Sequence, residues 1–73
     1  MHDYEVLIET INPCGGEAHR REEFLDVQAE SPEAYVREHS DWPILDVGKN
    51  TEGEPVITTG DGYGVIVRYT FSE

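Results

Sequence analysis

Cysteine is all but missing from this chain: Cys14 stands alone, so no internal disulfide can form and redox compartment is left unread. Long apolar runs are missing too. None approaches the roughly 18 residues that a membrane-spanning helix needs. Met1-His-Asp-Tyr shows neither a basic start nor an apolar h-region, so no signal peptide is expected and a cytoplasmic location follows as the default. Positive charge is the third shortage. Lys and Arg together number 5 against 16 Asp and Glu, a net charge of −11. Direct binding to DNA or to an anionic membrane needs a cationic surface and is disfavoured. The complement of such a chain is a basic protein surface, including one that normally holds nucleic acid.

Apolar residues make up 37% of the 73, near the size at which one core gives only marginal stability. Self-repulsion at this charge costs stability and favours solubility. The acids are not confined to a tail. Residues 1–36 carry nine acids and two arginines, and residues 37–73 carry seven acids and three bases. Acids spread through periodic segments indicate a folded acidic surface, here one domain over residues 1–73.

The longest apolar commitment is Tyr63-Gly-Val-Ile-Val-Arg-Tyr-Thr-Phe71. Tyr63, Val65, Val67, Tyr69 and Phe71 alternate with Gly64, Arg68 and Thr70 at period two, in residue types that favour a half-buried strand. Earlier in the chain, Tyr4, Val6 and Ile8 mark a first strand from about Asp3 to Ile11. Asn12-Pro13-Cys14-Gly15-Gly16 breaks it, and Leu25, Val27 and Ala29 mark a second from Arg21 to Ala29, giving a hairpin with a long polar loop.

Ser31-Pro32-Glu33 is a helix start: an N-cap hydroxyl, a proline at the first helical position and an acid at the positive end of the dipole. Tyr35, Val36 and His39 form a narrow apolar stripe. Pro43 forces Trp42 out of helical geometry, so the helix ends near Ser40. Ile44–Gly48, Pro55–Thr59 and the Tyr63–Phe71 stretch then read as strands joined by Gly-containing turns, an antiparallel meander. The expected fold is α+β: a two-layer β-β-α-β-β-β arrangement, with one short helix on one face of an antiparallel sheet of about five strands.

No catalytic motif is present, and the expectation is a protein that is not an enzyme. Cys14, Glu17 and His19 share one loop, but a zinc site needs three or four ligands and paired spacing is absent. A Cys14 nucleophile with His19 as base is conceivable on paper; the plain reading is a hairpin loop with an incidental cysteine. Gly60-Asp61-Gly62-Tyr63-Gly64 fails as a phosphate loop because a strand follows where a helix N-terminus should stand. An Asp-Gly turn explains it, with Gly64 as a candidate bulge. His39 is expected against the sheet edge, His2 and His19 in solvent, and Trp42 as a plug at the helix-to-strand corner. No cofactor and no metal site are expected.

If Tyr4, Val6, Ile8, Leu25, Val27, Ala29, Val65, Val67 and Tyr69 face the helix, the opposite face carries Glu5, Leu7, Glu9, Glu22, Phe24, Asp26, Ile66 and Arg68. Asp46 joins them if Leu45 and Val47 point inward. Glu5, Leu7, Glu9, Glu22, Phe24, Asp26, Asp46 and Ile66 are therefore the candidate partner-binding residues. Carboxylates two residues apart on a strand stand ~6.8 Å apart, about two base-pair rises of a duplex. Apolar residues ringed by charge on an uncovered face mark an interface, although an antiparallel sheet is also expected to turn a polar face to water.

In size and charge the chain resembles the anti-CRISPR, anti-restriction and glycosylase-inhibitor proteins of phages and mobile elements, a resemblance with no motif matched residue by residue. It implies a small inhibitor that occupies the basic nucleic-acid-binding surface of a partner enzyme, as a nucleic-acid mimic. The alternative is a housekeeping protein of a salt-adapted organism, its acids serving solvation. One Lys against four Arg agrees with that, and eleven Glu against five Asp agrees less. Monomer and homodimer are both compatible. A dimer through the open face would bury Leu7, Phe24 and Ile66 but bring the acids of two copies together.

Overall fold

The computed structural model describes residues 1–11 and 21–72. Its elements run β1 (His2–Ile11), β2 (Arg21–Ala29), α1 (Pro32–His39), β3 (Ile44–Lys49), β4 (Pro55–Gly60) and β5 (Ile66–Ser72). All pairings are antiparallel and the sheet order is β2-β1-β5-β4-β3. The hairpin and the meander expected from the sequence both form. What joins them is β1 lying against β5, from Glu5 opposite Ser72 to Ile11 opposite Ile66. The first and last strands are thus the centre of the sheet, and β2 and β3 are its edges.

The helix forms for the reasons its ends declare. Ser31 is extended, and its Oγ accepts a hydrogen bond from the Ala34 amide at 3.1 Å, with Pro32 opening the first turn. Glu33 sits near the positive end of the dipole, with Arg37 and His39 near the negative end. At the far end Ser40 turns extended while its amide still donates to the Val36 carbonyl at 2.8 Å. Eight residues make a rod ~12 Å long, against a molecule whose longest dimension is 37 Å. So short a helix cannot cover the sheet, and it covers the centre.

The core shows this. Tyr4, Val6, Ala29, Val36, Ile57, Tyr69 and Phe71 are buried together. Tyr4 and Phe71 meet edge to face, with ring centroids 5.5 Å apart, and Tyr35 reaches Phe71 at 5.9 Å. Each fully buried side chain of this size contributes ~1.5–3 kcal/mol relative to exposure. Toward the edges the helix-side face runs out of cover. Leu25, expected inside, is exposed where β2 overhangs, and Val47 is exposed on β3 although it lies opposite buried Ile57.

Leu45 is a related correction. The register of β3 shifts between Ile44 and Asp46, and Leu45 lies exposed in that irregularity. Its Cδ1 would stand 2.6 Å from a Cβ at Gly60, so the absent side chain of Gly60 is what makes room for it. The bulge, and not an inward-pointing Leu45, sets the face of Asp46.

Two more expectations are corrected. His39 is exposed and stacks on Tyr35 one helical turn away, ring centroids 4.4 Å apart, instead of packing on the sheet edge. The strand read at Tyr63–Phe71 starts later than its alternation suggests, at Ile66. Tyr63 is 89% exposed, and residues 61–65 form a loop around the Asp61 carboxylate, which accepts from the amides of Tyr63 at 2.7 Å and Val65 at 3.2 Å. Gly62 and Gly64 have positive φ, so Gly64 serves this loop and not a strand bulge. Asn50 does the same work between β3 and β4: its Oδ1 accepts from the amides of Glu52 and Glu54, each at 3.0 Å.

Candidate functional site

Cross-strand register turns the open face into a grid. One row runs Glu22, Glu9, Arg68, Thr58, Asp46 from edge to edge, and the next runs Phe24, Leu7, Thr70, Val56, Gly48. Asp26, Glu5 and Ser72 follow, while Ile11, Ile66 and Gly60 form a row at the opposite end. Every candidate named from the sequence falls on this one face. They do not form one patch. Glu22 and Asp46 are separated by four inter-strand spacings, ~19 Å, and Ile66 lies at the far end beside Ile11.

The dense part is the β1–β2 half. Glu5 stands opposite Asp26, Leu7 opposite Phe24, and Glu9 opposite Glu22. Two pairs of like charges thus flank one apolar pair. Like charges directly opposite one another are destabilising in a sheet; Glu5 and Asp26 face each other in this way, while Glu9 has Arg68 on its other side. Phe24 is 66% exposed, and Leu7 is half-buried. The carboxylates along each strand are four residues apart, because Leu7 and Phe24 occupy the positions between them. Their spacing along the strand is ~13.6 Å, twice the spacing considered from the sequence.

Glu9 differs from the rest. It is only 8% exposed, lying between Glu22 on one side and Arg68 on the other. Its burial was not legible in the alternation of β1, which treats Glu5 and Glu9 alike. The signal lay in Arg68, the one cation in the strand that comes to lie beside it. A shallow groove over the β3–β5 half is lined by Leu7, Glu9, Asp46, Val56, Arg68 and Thr70. Charge there is mixed. The purely acidic part of the face is the part made by Glu5, Glu22 and Asp26.

At the end of the face, Glu54 ties the β3–β4 turn to β5. Its carboxylate accepts a hydrogen bond from the Ser72 hydroxyl and another from Asn50 Nδ2 at 3.0 Å. These bonds, with Ser72 the larger influence, hold the Glu54 carboxyl below its ordinary value. On the opposite face, burial pushes the Tyr69 phenol up, with a hydrogen bond to Ser40 pulling the other way.

Trp42 is half-buried past the helix end, its amide donating to Ser40 Oγ at 3.2 Å. Cys14, Glu17 and His19 lie outside the described residues. Among the described residues, no three His, Cys, Asp or Glu side chains are grouped so as to hold a metal ion, and no helix is long and apolar enough to cross a membrane. Comparison with protein-family models, with curated proteins and with solved structures finds no match.

Proposed function

We propose that this chain is a small acidic binding protein, and not an enzyme, whose β1–β2 face receives a basic protein surface of the kind that otherwise holds nucleic acid. The observation that carries this is the Leu7–Phe24 pair set between the Glu5–Asp26 and Glu9–Glu22 pairs. An exposed aromatic between carboxylates suits an interface: the apolar pair supplies buried area, and the acids select a cationic partner and steer its approach. The role would be inhibitory, in the manner of a nucleic-acid mimic from a phage or mobile element, acting in the cytoplasm as monomer or homodimer.

A second reading has its own observation. Glu30, Glu38, Asp41 and Glu52 are exposed and lie outside the sheet, on the helix and in the turns, where a partner on the β1–β2 face would not touch them. Acids on all sides suit a salt-adapted protein whose carboxylates serve hydration.

The test is capture of partners by the tagged protein from lysates rich in nucleic-acid-processing enzymes, at low and moderate salt, with duplex DNA as competitor. A basic nucleic-acid enzyme captured at low salt, displaced by DNA and lost with the triple variant Glu5→Gln, Glu22→Gln, Asp26→Asn supports mimicry. No capture, together with a fold that tightens in molar salt, supports solvation.

A further inference from the structure

We propose that the partner is held by strand addition. An extended segment of a basic protein, with one lysine or arginine before two apolar residues and two after them, pairs along the outer edge of β2. This rests on the binding reading above and specifies how the partner engages.

The two edges of the sheet are built differently. β3 begins directly after Pro43, carries a register shift between Ile44 and Asp46, contains Gly48, ends on Lys49 and is six residues long. Proline, bulge, lysine and shortness are the devices by which proteins blunt an edge against a further strand. β2 has none of these four; its guard is charge alone, and of the exposed Arg21, Glu22, Glu23 and Asp26 three are acids, which repel an acidic strand and admit a basic one. It runs nine residues without Pro, Gly or Lys and pairs with β1 from Thr10–Arg21 to His2–Ala29 with no irregularity. Every residue from Arg21 to Asp26 is exposed, and among the described residues no strand lies on its outer side. A regular strand flanked on one side only presents a row of amides and carbonyls at the spacing another strand needs.

The side chains specify the occupant. Glu22, Phe24 and Asp26 point to the open face, and Glu23 and Leu25 to the helix side. An incoming strand therefore meets acid, acid, apolar, apolar, acid in succession, with Phe24 and Leu25 offering exposed apolar surface on opposite faces. Its antiparallel complement is basic-apolar-apolar-basic-basic. A second copy of the chain is a poor occupant, because it sets Glu22, Glu23 and Asp26 of one β2 against those of the other.

The probe is the peptide Thr-Lys-Val-Val-Lys-Lys-Thr, with Thr-Lys-Val-Pro-Lys-Lys-Thr as a control of equal charge that cannot complete the ladder. Amide hydrogen exchange and amide chemical shifts of the full chain are followed at millimolar peptide. The expected result is exchange slowed at least tenfold at alternating amides within 21–29 by the first peptide, and affinity at least tenfold lower for the proline control. Phe24→Lys, an exposed substitution that leaves the core untouched, should weaken the first peptide by a similar factor. Equal binding of both peptides, with shifts centred on Leu7, Val56 and Thr70, would overturn strand addition while leaving the acidic-face reading in place. No binding of either peptide also overturns it, and so does a free protein that is already a dimer with its β2 amides protected. The acidic-face reading itself fails separately, when the capture experiment retains nothing basic.

Discussion

Glu5 and Asp26 stand directly opposite each other across the β1–β2 ladder, both exposed, with Ser72 and not a cation on the far side of Glu5. Relieving this pair should stabilise the fold. In the variant Glu5→Gln, Asp26→Asn the pair loses its repulsion, a gain of ~0.2–1 kcal/mol. Chemical denaturation in dilute buffer should show the gain, and molar salt, which already screens the charges, should shrink it. A variant less stable than the parent in dilute buffer would refute the electrostatic account.

Glu9 should behave in the opposite way. It is buried beside Arg68, so Glu9→Gln weakens a shielded charge arrangement and is expected to lose on the order of 1–3 kcal/mol. The same denaturation series measures it. If Glu9→Gln raised stability as the exposed acids do, Glu9 would belong with them.

Glu54 gives a pH signature. Its folded-state carboxyl lies below the ordinary value near 4.5, so its contribution is present above that value and is lost as pH falls through the lowered one. The parent should melt higher than Glu54→Gln at pH 6 to 7, and the gap should close as pH drops below about 4.5. Comparing the two chains at each pH cancels the general relief of repulsion that all the acids share. A gap that stays constant down to pH 3 would remove Glu54 from the account.

Gly60 and Leu45 should be coupled. A Cβ at Gly60 would meet Leu45 Cδ1 at 2.6 Å and the Val65 carbonyl oxygen at 3.3 Å. Gly60→Ala is expected to cost about 1 kcal/mol, the low end of overpacking, because exposed Leu45 can swing aside while the Val65 carbonyl is backbone. Added to Leu45→Ala, the same change should cost clearly less, because one of the two obstacles is gone. A double-mutant cycle of thermal melts reads the coupling, and additive losses would place the whole obstruction at Val65.

The local part of the fold was legible because each boundary has a local cause. Arg21–Ala29 and Pro32–His39 emerge as expected, the latter from Ser31, Pro32 and Pro43. Residues 63–65 misled for an equally local reason. Tyr63 and Val65 continue the period-two pattern of Val67, Tyr69 and Phe71, but the Asp61 carboxylate binds their amides and the turn prevails. The candidate face was legible as a set of residues and not as a map. Alternation assigns Glu5, Leu7 and Glu9 to one face, yet only the register of β2 sets carboxylate against carboxylate and Leu7 against Phe24. The burial of Glu9 and the blunting of β3 against the bare edge of β2 depend on strand order, a long-range property that no window of sequence contains.

That strand order also governs when the protein can come into being. Because β1 is completed by β5, a chain emerging from the ribosome holds its first strand without its central neighbour through the synthesis of everything between. Phe71, wholly buried against Val6 and Tyr4, is made only after the other four strands and the helix. Until then the β1–β2 hairpin is a lone ribbon with both faces wet, and such ribbons are marginal in water. The −11 charge that strains the finished molecule would repel neighbouring nascent copies during that interval.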